Sequence, residues 1–174
     1  PDVQCYSMLV AACAKAGRPS ESVQWLAAMQ ERLLEPNVIS YSNVVHAFAR
    51  ATNVDSAALW LEKAVRVLLE PDVLSYSMMV HACAQASQPG EAVAWLGRMQ
   101  EGRVEPNVVS YSSAVSAYAR ASDLRRAEEL FAEMEGRGLQ PTAVSFYGIL
   151  HAHARARHAA PALRWLARLR DAAL

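Results

Sequence analysis

Apolar residues recur along the chain at helical spacing. Tyr41, Val44, Val45 and Phe48 stand at i, i+3, i+4 and i+7, one face of a helix. A short break follows, and Asn53 is placed to cap a second helix that carries Leu59, Trp60, Lys63 and Ala64. Asp123 is the equivalent cap further on. Pro19 and Pro89 stand where such second helices begin, since the missing N–H of proline costs nothing at the first helical position. Each second helix is expected to run to an acidic or amide residue followed by proline: Glu35-Pro36, Glu70-Pro71, Glu105-Pro106 and Gln140-Pro141. Proline disfavours helical geometry in the residue before it and would stop the helix there. No run of about 18 unbroken apolar residues is present, so no membrane-spanning helix is expected.

The pattern repeats. Pro1, Pro36, Pro71, Pro106 and Pro141 are 35 residues apart each time. Pro36-Asn37-Val38-Ile39-Ser40-Tyr41-Ser42 returns as Pro71-Asp72-Val73-Leu74-Ser75-Tyr76-Ser77 and as Pro106-Asn107-Val108-Val109-Ser110-Tyr111-Ser112. The chain therefore reads as one array of five units, 1–35, 36–70, 71–105, 106–140 and 141–174. A single helical hairpin cannot bury its apolar face alone, so the units must stack. The expected fold is all-α, a right-handed α-solenoid of tandem helix-turn-helix repeats. Trp25, Trp60, Trp95 and Trp165 share one place in the second helices, with Leu130 in the fourth unit. Base stacking is one reading of these rings; packing of one unit on the next is the plainer one.

Charge changes the picture in two steps. Seventeen Lys and Arg balance seventeen Asp and Glu, which by itself argues against a nucleic-acid partner. The balance is an average over unlike segments, however. Residues 3–16, 38–51, 73–86, 108–121 and 143–156 contain no acid and carry four positive charges, leaving the remainder at minus four. The acid-free segments are the first helices. Cys5, Cys13 and Cys83 form no CxxC pair and read as small buried apolar residues rather than a disulfide framework. Pro1-Asp2-Val3 shows no signal-peptide pattern and reads as a cut from a longer chain.

A 35-residue hairpin that opens Pro-Asn/Asp-Val-x-Ser-Tyr-Ser and closes its first helix with Ala-Lys/Arg-Ala resembles the pentatricopeptide repeat (PPR) family. The closing triplet reads Ala14-Lys15-Ala16, Ala49-Arg50-Ala51, Ala119-Arg120-Ala121 and Ala154-Arg155-Ala156. Tetratricopeptide repeats run at about 34 residues and carry a Trp-x-x-Leu-Gly signature that is absent here. The resemblance implies a PPR superhelix that binds single-stranded RNA in a mitochondrion or chloroplast, one nucleotide per repeat, in RNA processing, stabilisation or translation. It implies no cofactor, no small-molecule substrate and no membrane partner.

Family base-reading pairs, carried over, are Ser7 with Asn37, Ser42 with Asp72, Ser77 with Asn107, and Ser112 with Thr142. A carboxylate only accepts, which suits the two donors on the guanine Watson–Crick edge. An amide both donates and accepts, which suits N1 and N6 of adenine. The resemblance thus implies a core A-G-A; the Thr142 pair is not decoded, and Tyr147 replaces the serine in the fifth unit. Ile39, Leu74, Val109 and Val144 resemble the side chains that sandwich bases, with Gln4 in that place in the first unit. Lys15, Arg50, Arg120 and Arg155 resemble phosphate contacts, and Gln85 interrupts the series. The plainer readings are N-terminal capping for the serines, a turn beside proline for Asn37, Asp72 and Asn107, and dipole complementation for the cations.

Other constellations carry less. His46, His81 and His151 are one repeat position, and His151 and His153 point to different sides of a helix. With His158 they lack the nearby Cys or carboxylate of a zinc site. Glu128, Glu129, Glu133 and Glu135 read as a solvated helix face rather than a hydrolase centre. No catalytic metal and no enzyme activity is expected. The competing function is a protein-binding helical scaffold without RNA specificity.

Overall fold

The computed structural model describes residues 2–172. Pro1, the first of the spaced prolines, and the last two residues of the fifth repeat lie outside the described residues. Among the described residues there are ten α-helices and no strand. They are α1 (Val3–Lys15), α2 (Pro19–Glu31), α3 (Val38–Arg50), α4 (Val54–Arg66), α5 (Val73–Gln85), α6 (Pro89–Glu101), α7 (Val108–Arg120), α8 (Leu124–Gly136), α9 (Ala143–Arg155) and α10 (Ala159–Asp171). This is the all-α fold of a helical-repeat solenoid, two helices to a repeat.

Local chemistry starts each helix where the sequence places it. Asn53 and Asp123 cap α4 and α8 through their side chains, and Pro19 and Pro89 occupy the first turns of α2 and α6. Helices α1, α3, α5 and α7 begin just after a Pro-Asx pair and α9 after Pro141-Thr142, with Asp2, Asn37 and Asn107 as extended N-caps whose side chains accept from the backbone three residues on.

The helix ends differ from expectation. The even helices stop at Glu31, Arg66, Glu101 and Gly136, well before the Glu-Pro and Gln-Pro steps. Each turns through a residue in the left-handed region: Leu33 (φ 59°), Leu68 (φ 60°), Arg103 (φ 58°) and Gly138 (φ 74°). At the end of α2 the Leu34 N–H reaches the Met29 carbonyl at 3.1 Å and the Leu33 N–H reaches Gln30 at 2.9 Å. That pair of bonds is the Schellman closure, which satisfies the orphan carbonyls before proline has any role. Leucine is ill suited to this conformation, at a cost of roughly 1–2 kcal/mol. Leu33 and Leu68 are 93% and 92% exposed, so their side chains bury almost nothing in return. Replacing either by glycine is therefore expected to raise stability by about 1 kcal/mol and the melting temperature by about 2–4 °C. A thermal melt of Leu33→Gly and Leu68→Gly checks this; an unchanged midpoint in both would refute it.

Two compact units make up the chain, Pro1–Ala82 and Cys83–Leu174, and the division falls inside α5. In the first, α1 packs on α2 and α3, α2 on α3, and α3 on α4. Val10, Leu26, Tyr41, Val44 and Ala64 form the core there, edged by Val23, Phe48, Trp60 and Leu69. In the second, α6 packs on α7, α7 on α8 and α9, and α9 on α8 and α10. The tryptophans pack, but largely within their own repeat. Trp25 faces Tyr6 at 6.3 Å between ring centroids, and Trp60 faces Tyr41 at 6.1 Å. Trp165 is held by both Phe146 of its own repeat and Phe131 of the one before.

The cysteine reading needs correcting. Cys83 is buried, and burial with the neighbouring Glu91 charge pushes its thiol up to about 11. Cys5 is exposed and Cys13 only half-buried. Cys5 holds the repeat position of Ser40, and α1 has no earlier first helix against it among the described residues.

Candidate nucleic-acid interface

The Pro-Asx step sets up the site from the backbone outwards. Asn37 caps α3 with its side-chain Oδ1, which accepts the Ser40 N–H at 3.0 Å and the Ser40 hydroxyl at 3.1 Å. Because α1 lies against α3, the Ser7 hydroxyl on α1 reaches Ser40 Oγ at 2.9 Å. The pair Ser7 and Asn37 is thereby joined through a serine that is fully buried. The next pair repeats the construction. Asp72 Oδ1 accepts the Ser75 N–H at 2.9 Å and the Ser75 hydroxyl at 2.7 Å, while Ser42 lies 2.7 Å from Ser75 Oγ. Asn37 and Asp72 are exposed, and Ser7 and Ser42 half-buried.

This geometry merges two readings and alters one. Asn37, Asp72 and Asn107 are N-caps, as the plain reading holds, and their positions remain open to a ligand. The amide of Asn37, however, does not offer both donor and acceptor. Its oxygen is committed to the cap, so only the amide N–H groups are left. Asp72 likewise keeps one oxygen, Oδ2, beyond its cap.

The remaining positions vary. Asn107 Oδ1 accepts the Ser110 N–H at 3.0 Å, but the Ser110 hydroxyl donates to the Asn107 carbonyl at 2.8 Å. Ser77, in the other unit, has a buried hydroxyl with no partner among the described residues. In the fourth pair Ser112 lies 2.7 Å from Ser145 Oγ, and Ser145 Oγ accepts the Thr142 main-chain N–H at 3.3 Å. That chain of bonds ends on backbone rather than on the Thr142 side chain.

Ile39, Leu74, Val109 and Val144 are between 57% and 63% exposed, each one position before a buried serine. A large apolar side chain held in water at the same place in four repeats is a standing surface for a flat apolar partner. Gln4, Ser7, Asn37 and Ile39, together with Met8, Ala11 and Asn43, line an open groove of about 660 Å³.

The cations divide into two kinds. Lys15 and Arg50 are exposed at the ends of α1 and α3. Burial and the charges of Arg50 and Lys15 hold His46 below its ordinary pKa, so this position adds no charge at neutral pH. Arg120 donates to the Ala84 carbonyl and, at 3.4 Å, to Gln85 Oε1. Arg155 donates to the Arg120 carbonyl at 2.9 Å and to Ser122 Oγ at 2.7 Å. Each of these two arginines closes the C-terminus of the preceding first helix, which the dipole reading anticipates only in part.

The acids of α8 stay in contact with solvent, as expected of a helix face, yet three of the four are also bonded to other helices. Glu128 accepts from His153 and Trp165, Glu133 from Tyr111 at 2.7 Å, and Glu135 from Arg168 at 2.7 Å. Burial and the Glu133 carboxylate push the Tyr111 hydroxyl up to about 12. Glu129 pairs locally with Arg125, and Glu133 pairs locally with Arg137 as well as with Tyr111. Packing of the fifth repeat supplies the partners of Glu128 and Glu135, and α7 of the same repeat supplies that of Glu133.

The residues missed by inspection of the sequence are Ser40, Ser75, Ser110 and Ser145, all buried. Their signal was present: a serine at one repeat position in four of five units, where a core would ordinarily prefer an apolar residue.

Comparison with known proteins follows the same geometry. The sequence profile of the PPR repeat family matches residues 1–50, 71–120 and 106–155. No curated protein sequence matches the chain. Among solved structures, the pentatricopeptide repeat protein PPR10 from maize matches with a TM-score of 0.84 at 21% identity, over 99% of this chain and 25% of that one. PPR10 in complex with an 18-nt psaJ RNA element matches at 22% identity with the same TM-score of 0.84, over 100% of this chain and 26% of that one. The PPR domain of protein-only RNase P 1 from Arabidopsis thaliana, in complex with tRNA, has a TM-score of 0.79 at 17% identity, over 95% of this chain and 87% of that one. At these identities the likeness establishes the fold, and the chain spans about a quarter of the length of PPR10.

Proposed function

The chain belongs to the PPR repeat family, and from that premise we propose that it binds single-stranded RNA, reading about one base per repeat along a single five-repeat array. The site would be organellar, in a mitochondrion or chloroplast, and binding would process, stabilise or regulate translation of a transcript without chemistry by this segment. The observation that carries the reading is the group repeated at the N-termini of α3 and α5. It combines an exposed Asn or Asp cap, a serine bonded to it through a buried serine, and an exposed aliphatic side chain beside them. Two fold relatives, PPR10 and the RNase P domain, are themselves solved with RNA.

Donor and acceptor matching follows from what the caps leave open. Asn37 presents amide N–H to the N1 acceptor of adenine, and the Ser7 oxygen accepts from N6. Asp72 presents Oδ2 to guanine N1–H, and the Ser42 oxygen accepts from N2. The resemblance to the family makes the third pair, Ser77 with Asn107, an adenine reader as well, so the core read proposed is A-G-A. Ile39, Leu74, Val109 and Val144 would separate and sandwich the bases. Lys15, Arg50, Arg120 and Arg155 would meet phosphates, with Arg120 and Arg155 also holding neighbouring carbonyls.

Binding of A-G-A and A-A-A oligonucleotides to the wild type and to Asp72→Asn tests this reading. The wild type should prefer A-G-A by about tenfold and Asp72→Asn should prefer A-A-A by a similar factor, the size expected for one matched polar pair. Lys15→Ala and Arg50→Ala should weaken both RNAs alike and make the salt slope shallower by about 0.7 per charge. Equal binding of all RNAs by both proteins would end the base-reading claim and leave the helical scaffold as a binder of another partner class.

A further inference from the structure

We propose that Ser75, with Ser40 one repeat earlier, is a positioning residue that fixes the proton of the reading serine and so decides which bases that serine tolerates. The inference rests on the RNA reading above. A serine hydroxyl has one proton to give. The Asp72 carboxylate can only accept, so at 2.7 Å the proton between them comes from Ser75. The 2.7 Å contact between Ser42 and Ser75 must then carry the Ser42 proton. Ser42 is left with lone pairs alone, and it meets a base as an acceptor. Ser40 and Asn37 impose the same direction on Ser7, because Asn37 Oδ1 is fixed as the acceptor of the Ser40 N–H.

Polarity at Ser42 supplies what Asp72 lacks. Guanine N1–H and uracil N3–H are both ring donors, and Asp72 Oδ2 accepts either one. The groups beside them differ. Guanine has the N2 amine, a donor that suits an acceptor serine. Uracil has a carbonyl on each side of N3–H, and either carbonyl would meet Ser42 lone pair to lone pair. Ser75 touches no base: it is 2% exposed, beneath the reading surface. The fourth pair lacks the device, because Ser145 accepts from the Thr142 main chain and no side-chain acceptor draws its proton away from Ser112.

Removing the Ser75 hydroxyl leaves the cap largely intact, since the residue 75 N–H still bonds to Asp72 Oδ1. Ser42 would then be free to rotate and donate to a uracil carbonyl. The experiment measures Kd of the whole 174-residue chain for A-G-A and A-U-A oligonucleotides of equal length. Wild type should favour G over U by about tenfold, and Ser75→Ala should bring the ratio within about threefold, mainly through tighter uracil binding. Ser75→Thr, which keeps the hydroxyl, should restore the wild-type ratio, and Ser40→Ala should leave it untouched. A merely structural role would weaken both RNAs together and lower the melting temperature. If Ser75→Ala fails to fold, Ser75→Cys replaces it, since Cys5 already fills this position in α1, and its ratio should fall between the two. A ratio unchanged by loss of the hydroxyl overturns the proposal while leaving the Asp72→Asn swap intact. Absence of any base preference in the wild type overturns the RNA reading and this inference with it.

Discussion

Phe131→Ala is expected to cost about 4 kcal/mol of stability, the largest effect of any single substitution considered for this chain. Phe131 is fully buried on α8. Its ring meets Phe146 of α9 at 4.9 Å and Trp165 of α10 at 4.8 Å, both edge to face. One side chain therefore joins three helices, and truncation leaves a cavity that two other rigid rings cannot fill by collapsing. Phe131→Leu should cost only about 1 kcal/mol, because Leu26, Leu61 and Leu96 occupy the same repeat position and are nearly fully buried there. Urea unfolding followed by tryptophan fluorescence measures both. A loss below about 2 kcal/mol for Phe131→Ala would show that the site relaxes and that the three-ring packing matters little. The first reading pair, Ser7 with Asn37, lies in the other compact unit. Its base preference should survive Phe131→Leu unchanged.

The second large effect is at Glu128, where alanine is expected to cost about 2–3 kcal/mol. A single oxygen, Oε1, accepts both His153 Nε2 and Trp165 Nε1, each at 2.8 Å. His153 is buried, and its Nδ1 has no partner among the described residues, so the imidazole depends on this one bond. Truncation would leave two donors unsatisfied, which costs more than two intact hydrogen bonds contribute. The paired change Glu128→Val with His153→Phe should recover about half of the loss, because it removes the His153 donor and still leaves Trp165 Nε1 without its acceptor. Val93 and Phe48 occupy those positions in other repeats, so both apolar side chains fit the fold there.

The same site sets a pH dependence with a definite sign. Burial acts to raise the Glu128 carboxyl, but the hydrogen bonds from Trp165 and His153 and the charges of His153 and Arg164 outweigh it, and the pKa lies below the ordinary 4.5. A carboxyl depressed in the folded state stabilises above its unfolded pKa and loses that contribution as pH falls. Melting temperatures of the wild type and Glu128→Gln should therefore differ at neutral pH and converge as pH drops below about 4.5. A gap that stays constant across that range would mean the carboxylate charge contributes nothing.

Legibility of this protein varied with the range of the interaction involved. The helix starts were readable because capping is local: Asn53, Asp123 and the Pro-Asx pairs need only their own next turn. The positions proposed to read bases stand out as a repeated Ser and a toggling Asn/Asp, although the commitment of Asn37 Oδ1 to its cap does not. The helix ends were misplaced because Leu33, Leu68 and Arg103 carry no local preference for the left-handed region. Only the Schellman bonds and the next packed hairpin hold them there. The α8 acids are solvated as the sequence suggests, but their partners, Trp165, His153, Tyr111 and Arg168, were not legible because they stand 22 to 37 residues away.

The 35-residue period, taken alone, determined the all-α repeat fold, the place of each hairpin and the separation of acid-free first helices from acidic second ones. A short repeating unit does this because each hairpin meets nearly the same neighbour as the one before it. Tertiary structure decided what lies between neighbours: which serines are buried beneath the caps of α3 and α5, and which cations close a helix rather than stand free. Those outcomes depend on atoms about one repeat apart in sequence that stacking brings within 3 Å, as at Ser7 with Ser40 and Ser42 with Ser75.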